Sequence, residues 1–267
     1  MNGKRAILVA GVGTSDMNAL QNSIGAIETK IQEAFPGYEV RRAFLSEGVI
    51  KRLVSRGISV DTPGQALDRL AAEGIREVVV QPAHIIRGEE TEKLSRVCGE
   101  KAHLFDSLNI AAPLLSEAED FLAVARILAD EYASAPPDTA LVFIGHGSRL
   151  HTGNAAFATL NNLLKKQGYM HAFVGIIGAY PDAGAMLQTV ITAGYKKALL
   201  VPLMLTAGSH AKSDLAGDAE GSWKSIFKHA GITVSALLRG LGEYPAIQAL
   251  YCAHIRNTCN TRIRSSK

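Results

Sequence analysis

The chain has 267 residues, of which 47% are hydrophobic and 20% charged, so it can bury one large core or two moderate ones. Its net charge is +3 and no block of lysine and arginine is dense, which argues against a nucleic-acid partner. Its three cysteines are widely spaced, which argues against a disulfide framework. No stretch approaches the roughly twenty apolar residues that a membrane span requires. We therefore expect a soluble, cytoplasmic protein without a membrane partner.

Apolar runs typical of buried strands alternate with amphipathic runs typical of helices along the chain. The predicted strands are Arg5–Val12, Glu39–Leu45, Glu77–Pro82, Ala140–Ile144, Ala172–Ile177 and Lys197–Leu205. Helices are predicted at Thr62–Glu73 and Ala183–Ala193. This alternation indicates the α/β class, with parallel sheets covered by helices.

An internal repeat relates the two halves of the chain. Gly64–Glu90 aligns with Gly184–His210 at a constant offset of 120 residues and without a gap. Both segments have the pattern of a helix ended by glycine, a buried strand, and a loop that carries another glycine. The glycine-rich turn Gly11–Ser15 pairs with Gly145–Arg149 in the same comparison.

The repeat predicts two similar, doubly wound parallel-sheet domains. We place them at residues 1–130 and 131–267, with a boundary near residues 125–138. The segment Ser134–Thr139, which contains two adjacent prolines, is a plausible linker between them.

The most informative stretch is LVFIGHGSR (Leu141–Arg149), in which a buried-strand pattern ends at a histidine between two glycines. His146 aligns with Val12 of the first half, so the second half has an ionisable group where the first has none. In the other aligned loop, Glu90 pairs with His210. Because ligands bind outside the carboxyl ends of strands in open α/β sheets, we expect all three polar residues around one cleft between the domains.

These residues also have structural interpretations, which the sequence leaves open. His146 could be satisfied within its tight turn, although its flanking glycines and its strand-end position favour a functional role. His210 could simply neighbour the helix cap Ser209, but paired with His146 it is a candidate metal contact, because imidazole binds first-row divalent ions well. Glu90 lies in an acidic run that could begin a solvated helix. His84, in the predicted strand QPAHII, is expected to pack against the sheet and not to be catalytic.

The turn Gly11–Asp16 has part of a dinucleotide-binding fingerprint, but Asp16 replaces the third glycine. The sequence contains neither a phosphate-binding P-loop nor a GxSxG nucleophile elbow. We therefore expect no nicotinamide cofactor.

Several motifs in order along the chain resemble one family. They are the GTS turn after the first strand, HIIRGEETEK, FIGHGS, PLMLTAGSHAKSD, GSWK and GLGEYPAI. Together they resemble the anaerobic cobalt chelatases (sirohydrochlorin cobaltochelatases) of the chelatase superfamily, over about Lys4–Ala253. The resemblance implies two doubly wound domains related by pseudo-twofold symmetry. It also implies insertion of Co²⁺ into sirohydrochlorin in anaerobic cobalamin biosynthesis.

The resemblance assigns roles to individual residues. It implies that His146 and His210 bind the incoming metal and that His146 and Glu90 are catalytic, with Glu90 accepting protons. An acidic stretch that matches the family near its site (Asp214, Asp218 and Glu220) would attract cations. One departure matters: Gly178 stands where family members commonly carry a glutamate that ligates the metal in some of them.

The substrates follow from the same resemblance. Arg87 and Arg149 flank the two motifs and could pair with the carboxylates of a tetrapyrrole. Ser148 and Gly13, in the two glycine-rich turns, complete the predicted substrate-binding set. Cobalt is expected as a substrate, and no organic cofactor is expected.

The sequence leaves several alternatives open. Precorrin-2 could replace sirohydrochlorin as the tetrapyrrole. Iron insertion for siroheme, or nickel insertion, could replace cobalt insertion, because affinity order alone does not select cobalt. A non-catalytic tetrapyrrole- or metal-binding protein is the alternative from another class, motivated by Gly178. A homo-oligomer is also left open.

Overall fold

The computed structural model describes residues 4–148, 151–209 and 211–265. The strands in these ranges are β1 (Arg5–Gly11), β2 (Glu39–Phe44), β3 (Glu77–Pro82), β4 (Ser107–Ile110), β5 (Thr139–His146), β6 (Ala172–Ile177), β7 (Lys197–Leu203) and β8 (Thr233–Ala236). The α-helices are α1 (Met17–Ala19), α2 (Ala26–Ala34), α3 (Glu47–Val54), α4 (Pro63–Ala72), α5 (Glu89–Lys101), α6 (Ala118–Glu131), α7 (His151–Lys166), α8 (Ala183–Thr192), α9 (Trp223–His229) and α10 (Pro245–Ser265). Short π-helical segments lie at Leu20–Gly25 and Ala211–Leu215, and short 3-10 turns at Ala102–Leu104 and Leu241–Glu243.

Two parallel sheets with the same strand order carry the fold. The first has the order β2-β1-β3-β4 and the second β6-β5-β7-β8, and every neighbouring pair of strands is parallel. The central strands are almost fully buried, as expected for parallel strands covered by helices on both faces. The predicted fold class, two doubly wound α/β domains, is therefore confirmed.

The internal repeat is visible as repeated local structure. The side chain of Thr62 caps α4 and that of Asp182 caps α8, in each case by accepting a hydrogen bond from a backbone N–H of the first turn. Each helix is followed by a glycine in the left-handed region, Gly74 with φ 80° and Gly194 with φ 86°. A left-handed glycine ends a helix without the steric cost of a side chain, so the aligned glycines are explained by the turn into β3 or β7.

The boundary between the two units differs from the predicted one. The first unit comprises Met1–Ser116 together with Gly242–Lys267, and the second comprises Glu117–Leu241. The expected linker, Ser134–Thr139, lies inside the second unit. There it is a compact turn between α6 and β5, closed by a hydrogen bond from the Thr139 amide to the Pro136 carbonyl. The division at residues 130 and 131 is thus corrected, because α6 packs against α7 of the second unit.

The C-terminal helix α10 belongs to the first unit, where it packs against α2 and β3. Its buried residues Ile247, Tyr251 and Ile255 recur every four positions and form one apolar stripe. The Tyr251 hydroxyl also donates a hydrogen bond to the His84 carbonyl at 3.0 Å. The assignment of residues 242–267 to the second domain was therefore wrong.

The edge strands β4 and β8 were not predicted. Each has four residues of mixed polarity, and most of them are partly or fully exposed. Short, half-exposed edge strands lack the continuous apolar run that marks the central strands. In the described ranges, we find no helix with both the length and the apolar character needed to cross a membrane.

His84 follows β3 and fits the prediction that it packs against the sheet. Both ring nitrogens are buried and have no hydrogen-bond partner among the described residues. This burial lowers the pKa of His84 to about 4. At the repeat offset, the second unit has the buried Met204 in the corresponding position.

We predict that His84 makes the first unit less stable in acid. Because the folded pKa lies below the unfolded value of 6.5, the unfolded chain takes up the proton first as the pH falls. As the pH falls from 6.5 to 4, the free energy of unfolding decreases by a total that approaches about 3 kcal/mol. Above pH 6.5, His84 causes no such decrease. Urea unfolding at pH 7 and pH 4.5 measures it. His84→Met introduces the residue that the second unit has at the corresponding position, and it should remove this part of the pH dependence. Equal pH dependence of unfolding in the wild type and the variant would contradict the prediction.

Candidate functional site

His146 is the last residue of β5 and its side chain is exposed at the carboxyl end of the sheet. The preceding apolar residues are buried, so the strand itself holds the imidazole at this edge. Nδ1 lies 3.1 Å from the Gly147 carbonyl oxygen. Because a carbonyl oxygen only accepts hydrogen bonds, this contact is a hydrogen bond when Nδ1 carries the proton. An imidazole held in this way through a backbone carbonyl has the form of a metal ligand.

The glycines on either side of His146 are required by packing. A Cβ on Gly145 would overlap the ring of Phe157, which is buried on α7. A Cβ on Gly147 would lie 2.9 Å from Ile176 Cγ2 and 3.0 Å from the Ile177 carbonyl oxygen. Packing therefore explains both glycines of the GHG pattern. His146 is then the one residue of this pattern that has a side chain at the end of β5.

The backbone after His146 is held by a residue that sequence reasoning missed. Asn154, on α7, accepts a hydrogen bond from the Ser148 amide at 2.8 Å and donates one to the Ser148 carbonyl at 2.9 Å. Ser148 itself is partly buried. An asparagine in the first turns of a helix is a common residue, so the sequence gives no signal for this contact.

The loop after β7 reaches the same edge of the second sheet. β5 and β7 are neighbours, with Gly145 paired to Leu203, so their carboxyl ends are adjacent. His210 and Arg149 lie outside the described residues, and their predicted roles stay predictions. The start of the loop packs tightly on Gly240, where a Cβ would lie 2.8 Å from the Ala207 amide nitrogen. This explains the first glycine of GLGEYP, to which the sequence alone gave no role.

Gly13 lies in the equivalent turn of the first unit. Its φ of 87° is in the left-handed region, and a Cβ there would lie 2.5 Å from Phe44 Cγ. The glycine is thus explained by the turn, and its predicted contact with substrate stays untested. The exposed Val12 beside it occupies the position that corresponds to His146.

Glu90 lies in the first turn of α5, where the helix dipole favours a carboxylate. The turn begins at Gly88, whose amide donates to Thr91 Oγ1 at 2.8 Å. Glu90 is partly buried, whereas Glu89 and Arg87 are exposed. β1 and β3 are paired through Ala10 and Pro82, so the Gly13 turn and the segment leading to Glu90 follow adjacent strand ends of the first sheet.

The acidic stretch after β7 is partly compensated. Asp218 accepts a hydrogen bond from Lys224 Nζ at 2.8 Å, and this contact lowers the pKa of its carboxyl group. Asp214 accepts a hydrogen bond from the Ser213 hydroxyl at 2.7 Å. Among the described residues, which do not include His210, no three His, Cys, Asp or Glu side chains are grouped to hold a metal ion.

We predict that Asn154 orders the turn after His146. Asn154→Ala removes two hydrogen bonds worth about 1 kcal/mol each, so the Ser148 amide should exchange with solvent about tenfold faster or more. Hydrogen–deuterium exchange with peptide resolution measures this rate. Asn161→Ala is the matched control, because Asn161 lies on the same helix and its side chain accepts from the Val174 amide at 3.1 Å. Equal exchange at Ser148 in both variants would contradict the assignment.

Solved chelatase structures share this fold. The structure of SirB from Bacillus subtilis with Fe³⁺ matches 96% of this chain and 95% of its own, with a TM-score of 0.66 at 16% identity. The structure of CbiX, described as the terminal enzyme for the biosynthesis of siroheme in denitrifying bacteria, matches 95% and 99% with a TM-score of 0.56 at 19% identity. At these identities the likeness concerns the fold.

The sequence has closer relatives. A sirohydrochlorin cobaltochelatase of Salmonella typhimurium is 37% identical over 264 residues, which cover 98% of this chain and 99% of the relative. The sirohydrochlorin cobaltochelatase CbiKC of Nitratidesulfovibrio vulgaris is 30% identical over 260 residues, with 94% and 89% coverage. Residues 5–260 match the family described as Cobalt chelatase (CbiK). The chain therefore belongs to the cobalt chelatase (CbiK) family.

Proposed function

We propose that this protein inserts Co²⁺ into sirohydrochlorin, with His146 and His210 as contacts to the ion and Glu90 as proton acceptor. The observation that carries the proposal is the 37% identity to a sirohydrochlorin cobaltochelatase over 98% of the chain. The exposed imidazole at the end of β5 supports it, because a metal-delivering side chain has to be accessible.

The imidazoles hold the ion before transfer. His146 is proposed to bind the ion through its imidazole ring, whose Nδ1 lies 3.1 Å from the Gly147 carbonyl oxygen. Imidazole binds cobalt well but lacks the charge of a thiolate, and bonds of this strength suit an ion that must leave again. The cobalt ion is thus a substrate that passes through the site.

Insertion also requires proton transfer. Metal-free sirohydrochlorin loses two pyrrole protons as Co²⁺ enters, so one ion is exchanged for two protons. Glu90, a carboxylate in the first turn of α5, is the proposed acceptor. Arg87 and Arg149 are proposed to pair with the substrate's carboxylates, and the turns at Gly13 and Ser148 to contact its ring.

We predict that His146→Ala and His210→Ala each lower the rate of cobalt insertion by at least about 100-fold, because each removes a metal contact. The rate is followed by the absorbance change of sirohydrochlorin as cobalt enters. His229→Ala is the control, since His229 is an exposed histidine in the last turn of α9. Circular dichroism verifies folding of each variant. Full activity in both site variants would remove the metal-contact assignment.

For Glu90→Gln we expect a fall of about 100-fold to 10,000-fold in the insertion rate, which is the range for loss of a general base. The substitution keeps the size and polarity of the side chain but removes the proton acceptor. Glu89→Gln changes the neighbouring exposed carboxylate and should leave the rate within about twofold of the wild type. If the two variants are equally active, Glu90 is not the base.

A second candidate function is a non-catalytic tetrapyrrole- or metal-binding protein, which Gly178 favours because it offers no carboxylate. Incubation with Co²⁺ and sirohydrochlorin separates the two candidates. Binding of the tetrapyrrole without metallation above the spontaneous rate would favour the non-catalytic one. Parallel assays with Fe²⁺, Ni²⁺ and precorrin-2 identify the preferred metal and tetrapyrrole.

A further inference from the structure

Tyr180 follows β6 in the second unit, in the loop Gly178–Asp182. It is 82% exposed, more than any other large hydrophobic side chain in the described ranges. No hydrogen bond of its hydroxyl and no ring contact is formed with the described residues, so the side chain does not contribute to packing there. Single exposed hydrophobic side chains are normal on protein surfaces, so the evidence for a role of Tyr180 is its position in the fold.

The loop holds the tyrosine firmly. After Tyr180, the Pro181 carbonyl accepts a hydrogen bond from the Ile176 amide at 2.9 Å. The next residue, Asp182, caps α8 by accepting from the Ala185 amide at 2.9 Å. Before Tyr180, the Ile177 carbonyl accepts from the Gly147 amide at 3.2 Å. The ring is therefore presented by a backbone that is fixed on both sides.

The same loop lies beside His146. In the register of the second sheet, His146 is paired with Ile177. A Cβ on Gly147 would lie 3.4 Å from Ala179 Cβ, so the residue after His146 contacts the residue before Tyr180. Neighbouring strands are about 4.8 Å apart, so His146 and the start of the loop that carries Tyr180 lie at adjacent strand ends of one sheet edge.

We propose that Tyr180 binds the flat face of the tetrapyrrole and holds it at the edge where His146 delivers the ion. This rests on the proposed function. A macrocycle is broad and planar, and an aromatic ring on a fixed loop can stack on it at little cost in conformational entropy. The phenol hydroxyl keeps the exposed side chain compatible with water when the site is empty. Tyr180 is thus a binding residue and takes no part in proton or metal transfer.

The chain contains an internal reporter for this binding. Its one tryptophan, Trp223, is buried, and its ring contacts Gly175 of β6. A Cβ on Gly175 would also lie 3.4 Å from the Pro181 carbonyl oxygen, so the indole and the residue after Tyr180 lie near the same glycine. Because tetrapyrroles absorb in the near ultraviolet, where tryptophan emits, a macrocycle on Tyr180 should quench Trp223.

The test titrates metal-free sirohydrochlorin into the protein and follows Trp223 emission. We expect Tyr180→Ala to raise the dissociation constant about tenfold, from loss of the stacked ring and its buried area. Tyr180→Phe keeps the ring and should stay within about twofold. Met170→Ala is the matched control, because Met170 is 63% exposed but precedes β6 at the opposite end of the strand. It should bind like the wild type.

Steady-state cobalt insertion supplies the second measurement. Tyr180→Ala should raise KM with kcat within about threefold of the wild type, the pattern of lost substrate binding. Unchanged binding and unchanged KM in Tyr180→Ala would overturn the inference while leaving cobalt insertion intact. Failure of the wild type to bind sirohydrochlorin would instead overturn the proposed function, and the inference with it.

Discussion

Close packing at the end of β5 determines what the second unit can present there. The ring of Phe157 occupies the space beside Gly145, and the end of β6 occupies the space beside Gly147. Side chains at these two positions would need the buried neighbours to move, which packed cores resist. His146 lies between them and points to the open edge, so it is the group that this strand end offers to a ligand. The flanking glycines are therefore a consequence of packing, whereas the exposure of His146 and its position at the strand end are what indicate a functional role.

The two units share a backbone fold but differ in the side chains that could take part in chemistry. Both units have the same strand order and the same helix-ending glycines, but they differ at the strand ends. Val12 of the first unit, which is 42% exposed, occupies the position that corresponds to the exposed His146 of the second unit. A side chain at this position is therefore exposed in both units, but it is ionisable only in the second. After the third strand of each unit, the ionisable side chain is instead in the first unit: His84 corresponds to the apolar Met204 of the second unit. The same fold thus accepts an ionisable or an apolar side chain at the ends of its strands, which allows the two units to take different roles.

The elements with continuous apolar runs could be predicted well, and β3 and β6 have the predicted bounds. Edge strands β4 and β8 could not, because half-exposed strands of four residues carry no such run. The placement of α10 could not be predicted either, because it depends on contacts between residues far apart in sequence, such as Tyr251 and the His84 carbonyl. The same limit applies to the site. The position of His146 follows from a local pattern, whereas Asn154 and Tyr180 gain their meaning only from what lies next to them in the folded unit.

Gly178, where the resemblance implies a glutamate, lies in a turn whose backbone conformation favours glycine. Its φ of 76° is in the left-handed region, which costs a residue with a side chain about 1–2 kcal/mol. A Cβ there would meet no atom within 4 Å, so space for a side chain exists but the backbone conformation disfavours one. The backbone of the loop therefore favours glycine at this position. Under the proposed function, the two imidazoles would hold the ion without the charge of a carboxylate, which favours its release. On our proposal, the loop contributes an aromatic surface for the macrocycle.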